Sequence, residues 1–160
     1  MPTILAVNPG STSTKLAVYR DGDPIVHRAI RHPDEALAGF RDRPVLDQLP
    51  LRLGAVRDVL EEHDVAAETL DAAVGRGGLL RPLPSGTYRV TDAMLDELAE
   101  APRGEHASNL GAFLARELAG PAGCPAFIVD PVSVDEWDDV ARLSGLAGLD
   151  RVCLSHALNM

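Results

Sequence analysis

The sequence contains little of what several classes of protein require. Aromatic residues make up 4% of its 160 residues, so we do not expect a binding surface of stacked aromatic rings. The formal net charge of -9 argues against broad contact with nucleic acid or with an anionic membrane. No apolar run approaches the roughly 20 residues that span a bilayer, and the N-terminus lacks the cationic start of a secretory signal. We therefore expect a soluble, cytoplasmic protein.

Cysteine is also scarce, and its placement indicates no covalent or metal framework. Cys124 and Cys153 lie far apart, and neither belongs to a CxxC or Cys/His motif. Reduced cytosolic thiols are the simpler interpretation. The length fits one domain or one large lobe, and a hydrophobic content of 46% is typical of a globular chain.

The order of apolar segments predicts an α/β lobe with a mixed sheet flanked by helices. "TILAV" is typical of a buried strand, and the segments on either side of "DGD" predict a hairpin, so three strands open the chain. Leu49, Leu53, Val56 and Leu60 have helical spacing. "LDAAV" predicts a strand that runs into a glycine-rich turn, and "LLRPLPSGTYRVT" a loop with a small hairpin.

The second half of the chain predicts further helices and one strand. Thr91 is a candidate N-cap for a short helix, and "HASNLGAFLARELAG" predicts a longer helix that ends at Gly120. "PAFIV" predicts a buried strand that ends at Asp130. The segment 140–160 predicts two helical pieces joined at "GLAG".

Lys15 is the only lysine in a chain whose other basic residues are all arginine, and it follows a "GSTST" run. The run lacks the second glycine of a P-loop, and a strand follows it where a P-loop opens a helix. A hairpin can still bind phosphate through backbone N–H groups, the hydroxyls of Ser11, Thr12 and Ser13, and the Lys15 ammonium. The alternative is an ordinary polar turn with one solvated lysine.

Two other charged residues stand where predicted strands end. Arg76 lies in "GRGG", where glycines let a ligand approach the backbone and a guanidinium can bind a carboxylate or phosphate. Asp130 ends "AFIV", at the end of a strand where α/β folds place their chemistry, and could hold Mg²⁺ or orient a phosphoryl group. The alternatives are a solvated arginine and a turn-forming Asp-Pro.

The histidines divide into two groups. His106 opens the "HASNLG" helix and His156 lies in "SHALN"; either could donate to an anion, or be a structural cap or surface residue. His27, His32 and His63 lie in strand or charged-helix contexts and receive no functional assignment.

Five stretches together resemble the N-terminal part of a butyrate kinase, within the acetate and butyrate kinase family of the actin-like ATPase superfamily. They are "NPGSTSTK", "GRGGLLRPLPSGTYRV", "GEHASNLGA", "PAFIVDPVSVDE" and "SHALN", which occur in the family's order and cover essentially the whole chain. The resemblance implies an RNase H-like lobe. It also implies Mg²⁺-dependent, reversible phosphoryl transfer between ATP and butyrate, giving butyryl phosphate and ADP.

The resemblance also implies a role for each matching position. The phosphates of ATP or ADP would lie along Asn8, Gly10, Ser11, Ser13 and Lys15. Arg76 would hold the substrate carboxylate or the transferring group, and His106 and His156 would contact phosphoryl oxygens. Asp130 would act at the metal and phosphoryl centre, with Asn8 as a second metal residue.

The family continues beyond the point that corresponds to Met160, with a second lobe of comparable size. We therefore interpret residues 1–160 as an N-terminal lobe whose C-terminal lobe is absent, and we expect no appreciable turnover from it alone. A C-terminal lobe or a second copy is an expected partner. A kinase for acetate or another short-chain acid, and a non-catalytic remnant that binds anions or pairs with a partner, stay open as alternatives.

Overall fold

A computed structural model describes residues 1–153. Its main feature is a six-stranded mixed sheet in the order β3-β2-β1-β4-β6-β5. β1, β4 and β6 are mutually parallel, whereas β2, β3 and β5 each run antiparallel to their neighbours. The strands are β1 (Thr3–Pro9), β2 (Ser13–Arg20), β3 (Asp23–Arg31), β4 (Ala72–Arg76), β5 (Thr87–Arg89) and β6 (Ala126–Val129).

Five α-helices and a second, two-stranded sheet complete the described part of the chain. The helices are α1 (Asp34–Ala38), α2 (Leu49–Glu62), α3 (Asp92–Glu100), α4 (Leu110–Ala119) and α5 (Asp139–Arg142). The small sheet pairs β7 (Leu143–Leu146) with β8 (Leu149–Asp150). No helix within residues 1–153 has the length and apolar character needed to cross a bilayer.

The core lies between the main sheet and helices α2 and α4. Along β1, Thr3, Leu5 and Val7 are buried, while Ile4 and Ala6 between them are only half-buried. Because side chains alternate across a strand, Leu5 and Val7 share one face of the sheet. The buried residues of α2 and α4 join them in one hydrophobic cluster, so the opposite face of the sheet carries the less buried side chains.

Local sequence explains the predicted elements that are confirmed. Asp21 and Gly22 have φ values of 54° and 91°, the left-handed pair that joins two strands tightly, and they connect β2 to β3. Thr91 caps α3 by accepting a hydrogen bond from the Met94 N–H at 3.3 Å. α4 ends at Ala119, with Gly120 as its C-cap.

Two predictions are wrong. The segment 143–150 forms the β7–β8 hairpin instead of a helical joint at "GLAG", because Gly145 and Gly148 adopt φ values of 83° and 76°. The rest of the second predicted helical piece, from residue 154 onward, lies outside the described residues. The strand within "LLRPLPSGTYRVT" exists as β5, but its partner is β6 and not a local hairpin strand.

Candidate functional site

Three parallel strands end at one edge of the sheet and bring together residues that are distant in sequence. Val7 pairs with Gly75, and Arg76 pairs with Val129, so the carboxyl ends of β1, β4 and β6 are in register. Neighbouring strands lie about 4.8 Å apart. Asn8, Arg76 and Asp130 therefore stand at the same edge, one on each strand or directly after it.

Lys15 joins this group from the neighbouring antiparallel strand. In the register of β1 and β2, Lys15 is the partner of Asn8. Thr14 is fully buried and Lys15 is exposed, since successive residues of β2 face opposite sides of the sheet. Lys15 thus projects from the sheet face that is opposite to helices α2 and α4.

A cavity of about 400 Å³ lies on that open face. Three of the predicted residues line it: Asn8, Lys15 and Arg76. Among its described lining residues none is acidic, although the chain as a whole carries a formal charge of -9. The other lining residues are mostly apolar or small: Ala6, Val7, Leu16, Ala17, Tyr19, His27, Val74, Gly75 and Val129.

The turn between β1 and β2 lies at the edge of this cavity without lining it. The Gly10 N–H donates to the Ser13 carbonyl at 2.7 Å, which closes the turn. Ser11 and Thr12 are exposed and Ser13 is half-buried. The turn therefore presents hydroxyls to solvent directly before Lys15.

The glycine-rich segment after β4 is fixed by close backbone contact. A Cβ on Gly77 would lie 2.6 Å from the Pro131 Cβ, and a Cβ on Gly78 would lie 2.6 Å from the Asn109 Cα. The Asn109 amide oxygen also accepts a hydrogen bond from the Leu79 N–H at 2.9 Å. These contacts hold the segment that follows Arg76 against the loop after β6 and the start of α4.

Asp130 has a left-handed backbone conformation, and one of its carboxylate oxygens already accepts a hydrogen bond. Its φ of 41° is in the left-handed region, which aspartate tolerates better than most residues. Its Oδ1 accepts a hydrogen bond from the Gly86 N–H at 2.8 Å. Asp130 is thus at the predicted edge, but it does not line the 400 Å³ cavity.

Of the two predicted histidines, the structure describes His106 only. His106 is exposed and is the N-cap of the short turn that precedes α4, where its Nδ1 accepts a hydrogen bond from the Ser108 N–H at 3.2 Å. His106 is not among the cavity-lining residues. His156 lies outside the described residues. His27, which received no assignment from the sequence, lines the cavity.

Sequence reasoning missed a buried polar group behind the turn. Arg52 in α2 is 0% exposed and bonds to the turn, and His32 is 6% exposed and lies 2.9 Å from the Thr14 Oγ1 through its Nε2. Burial, and secondarily the Arg52 charge, lowers the pKa of His32. The sequence does contain a signal for this group, since Arg52 stands next to Leu53 on the apolar side of the predicted helix.

The oxygen donors at this edge of the sheet are compatible with Mg²⁺ that is bound mainly by the phosphate groups of a bound nucleotide. Asn8 and Asp130 supply amide and carboxylate oxygens, which Mg²⁺ accepts. No cluster of three or more acidic, histidine or cysteine residues within residues 1–153 could hold a metal ion alone. Mg²⁺ commonly takes only one or two carboxylates and completes its shell with phosphate oxygens and water.

No family profile matches the chain, but its fold is similar to that of several solved structures. An acetate kinase from Porphyromonas gingivalis has 15% identity and a TM-score of 0.61, over 96% of this chain and 45% of that one. An acetate kinase from Entamoeba histolytica has 12% identity and a TM-score of 0.52, over 91% and 39%. YeaZ from Pseudomonas aeruginosa has 19% identity and a TM-score of 0.45, over 81% and 44%.

The chain spans less than half the length of each of these proteins. At such identities the likeness concerns the fold alone. The mixed sheet with its flanking helices confirms the RNase H-like α/β fold that the sequence resemblance implied.

Proposed function

We propose that this chain is the N-terminal lobe of a butyrate kinase-type carboxylate kinase, which transfers a phosphoryl group reversibly between ATP and butyrate. The observation that carries the proposal is the cavity at the carboxyl edge of the sheet. It combines Lys15, Arg76 and Asn8, and none of the described residues that line it is acidic. A local excess of positive charge in a strongly acidic chain favours an anionic ligand.

The chemistry of phosphoryl transfer suits this arrangement. The transferred group carries its charge on equatorial oxygens, so the protein accelerates the reaction mainly by positioning and by electrostatic stabilisation. Lys15 supplies a compact ammonium for the nucleotide phosphates, and the turn at Gly10, Ser11 and Ser13 supplies backbone and hydroxyl donors. Arg76 supplies a planar fork for the butyrate carboxylate or the transferring phosphoryl group.

The remaining roles are carried by residues at the edge and by the sequence resemblance. Asn8 and Asp130 would hold Mg²⁺, which when bound neutralises charge on the phosphate oxygens. His106 and His156 would contact phosphoryl oxygens. A C-terminal lobe would supply the adenosine pocket and close the site to water.

Trapping of acyl phosphate with hydroxylamine tests this proposal. The assay would contain ATP, Mg²⁺ and butyrate, with acetate and propionate as alternative acceptors. We expect acyl hydroxamate when the chain is joined to a C-terminal lobe, and no appreciable product from residues 1–160 alone, because ATP then meets one wall of its cleft. Preference for acetate would make the substrate assignment wrong. Absence of product with every acid would contradict the kinase assignment.

A further inference from the structure

Arg52 makes an unusual set of contacts with the turn between β1 and β2. It lies on the buried face of α2, and its guanidinium reaches across to the turn. Nη1 donates to the Ser13 carbonyl at 3.0 Å and to the Thr14 Oγ1 at 3.1 Å, and Nη2 donates to the Ser11 carbonyl at 3.2 Å. Nη2 and Nε also donate to the Gln48 Oε1, at 2.9 and 3.2 Å. One side chain therefore ties helix α2 to the turn.

The charge of Arg52 is not balanced by a carboxylate. Its acceptors are carbonyl, amide and hydroxyl oxygens, and none of the ion pairs within residues 1–153 includes it. Burial lowers the pKa of Arg52, but arginine stays protonated in proteins. A buried charge without a counter-ion is costly. The cost is reduced when an anion binds nearby, and the turn that Arg52 contacts has exposed residues at Ser11 and Thr12.

The contacts also fix the direction of the peptide groups in the turn. The Ser11 carbonyl points at Arg52, and within residues 1–153 no peptide bond is cis. In a planar trans peptide the C=O and the following N–H point in opposite directions, so the Thr12 N–H is directed away from the guanidinium. Arg52 therefore holds the turn so that the Thr12 N–H points to the side of the turn opposite the guanidinium.

We propose that Arg52 is a positioning residue of the phosphate-binding turn. It holds the Gly10–Thr14 segment from behind, and its buried charge increases the affinity of the exposed side of the turn for phosphate groups. This inference rests on the proposed function in one respect, namely that the turn binds phosphate. It adds a residue on the helix side of the sheet, whereas Lys15 and Arg76 act from the open face.

Binding of inorganic pyrophosphate to the 160-residue chain tests the inference without requiring turnover. Three variants would be compared with the parent by calorimetry: Arg52→Met, Arg52→Lys, and Arg57→Met as the control. Arg57 lies on the same helix but is exposed. We expect Arg52→Met to weaken binding at least tenfold, because it removes the charge and all the donors. Arg52→Lys should restore part of the loss, since it keeps the charge without the planar fork. Arg57→Met should stay within twofold of the parent.

Amide chemical shifts of Ser11, Thr12 and Ser13 would report the turn itself, and circular dichroism would report folding. If Arg52→Met does not fold, the affinity of Arg52→Lys decides: it should be three- to tenfold weaker than that of the parent. If a folded Arg52 variant binds pyrophosphate as the parent does, the inference is wrong and the kinase proposal is unaffected. The same holds if the parent chain itself does not bind pyrophosphate. If the Arg52 variants lose affinity while the two-lobe protein forms no acyl phosphate, the kinase proposal fails and this inference stands.

Discussion

Two segments at the same edge of the sheet are held in place by different physical means. The turn between β1 and β2 depends on polar bonds to one buried guanidinium, that of Arg52. The segment after β4 depends on glycines whose missing side chains let other backbone segments approach. The hydrogen bonds of Arg52 can be weakened one at a time, and its guanidinium also places a positive charge behind the turn. The support of the glycine-rich segment is steric, and a single methyl group disrupts it.

The largest effect should come from Gly75, which lies on β4 two residues before the glycine-rich segment. A Cβ on Gly75 would overlap the backbone of Gly111 in α4, so Gly75→Ala forces the helix away from the sheet. We expect the free energy of unfolding to fall by more than about 3 kcal/mol. Denaturant titration measures it.

Gly54→Ala is the matched control for that experiment. Gly54 lies inside α2, and its added Cβ would meet nothing within 4 Å. The same substitution should raise the free energy of unfolding there by roughly 0.5–1 kcal/mol, because alanine is the better helix residue. A similar loss at both positions would contradict the steric interpretation.

The next largest effect concerns Arg76, the last residue of β4, which directly precedes the glycine-rich segment. In a two-lobe protein we expect Arg76→Ala to lower kcat/KM at least about 100-fold, equivalent to roughly 3 kcal/mol of transition-state stabilisation. Arg89→Ala, at an exposed strand position outside the cavity, serves as control. Parallel denaturant titrations separate lost activity from lost stability. Parent-like kcat/KM for Arg76→Ala would leave Arg76 with a structural role only.

A smaller effect is expected at Lys15, which tests the polar turn from its open side. Lys15→Ala should weaken pyrophosphate binding about tenfold and leave the unfolding transition nearly unchanged, because the side chain is exposed. Lys15→Arg should also bind more weakly, since a planar fork does not replace a compact ammonium. Titration calorimetry with both variants measures this. Unchanged affinity in Lys15→Ala would mean that the lysine is only solvated.

The sequence predicted much of the fold, because the fold depends on local patterns, whereas the roles of the candidate site residues stay predictions. The apolar run "TILAV" and the "DG" turn predict β1 to β3, and in the structure the ends of the parallel strands place Asn8, Arg76 and Asp130 at one edge of the sheet. The β7–β8 hairpin was missed because Val140, Leu143 and Leu146 have helix-like spacing, yet two left-handed glycines reverse the chain.

The polar support of the site was not predictable in the same way. Arg52 interrupts an apolar helix face, which signals that something must satisfy it. Its acceptors in the turn lie 38 to 41 residues away, so only the tertiary fold shows which groups they are. The Asp130–Gly86 bond, across 44 residues, was hidden for the same reason.

The smallest expected effect is a pH dependence of stability that comes from the buried side of the turn. The Thr14 Oγ1 accepts a hydrogen bond from Arg52 and can donate its own hydrogen to the His32 Nε2 when that nitrogen carries no proton. Burial and the Arg52 charge lower the pKa of His32 in the folded state below the usual 6.5. Well above pH 6.5 the residue is neutral in both states, and it contributes no pH dependence.

As the pH falls through 6.5, the unfolded chain takes up a proton at His32 that the folded chain does not, so the free energy of unfolding decreases. The decrease ends when the pH passes the lowered pKa of the folded state. His32→Gln keeps an acceptor for Thr14 and removes the titration, so urea unfolding between pH 8 and pH 5 should show the parent losing stability relative to this variant. His63→Gln, at a half-buried position outside this network, is the control. Parallel pH curves for parent and His32→Gln would mean that the buried pair does not couple proton binding to the turn.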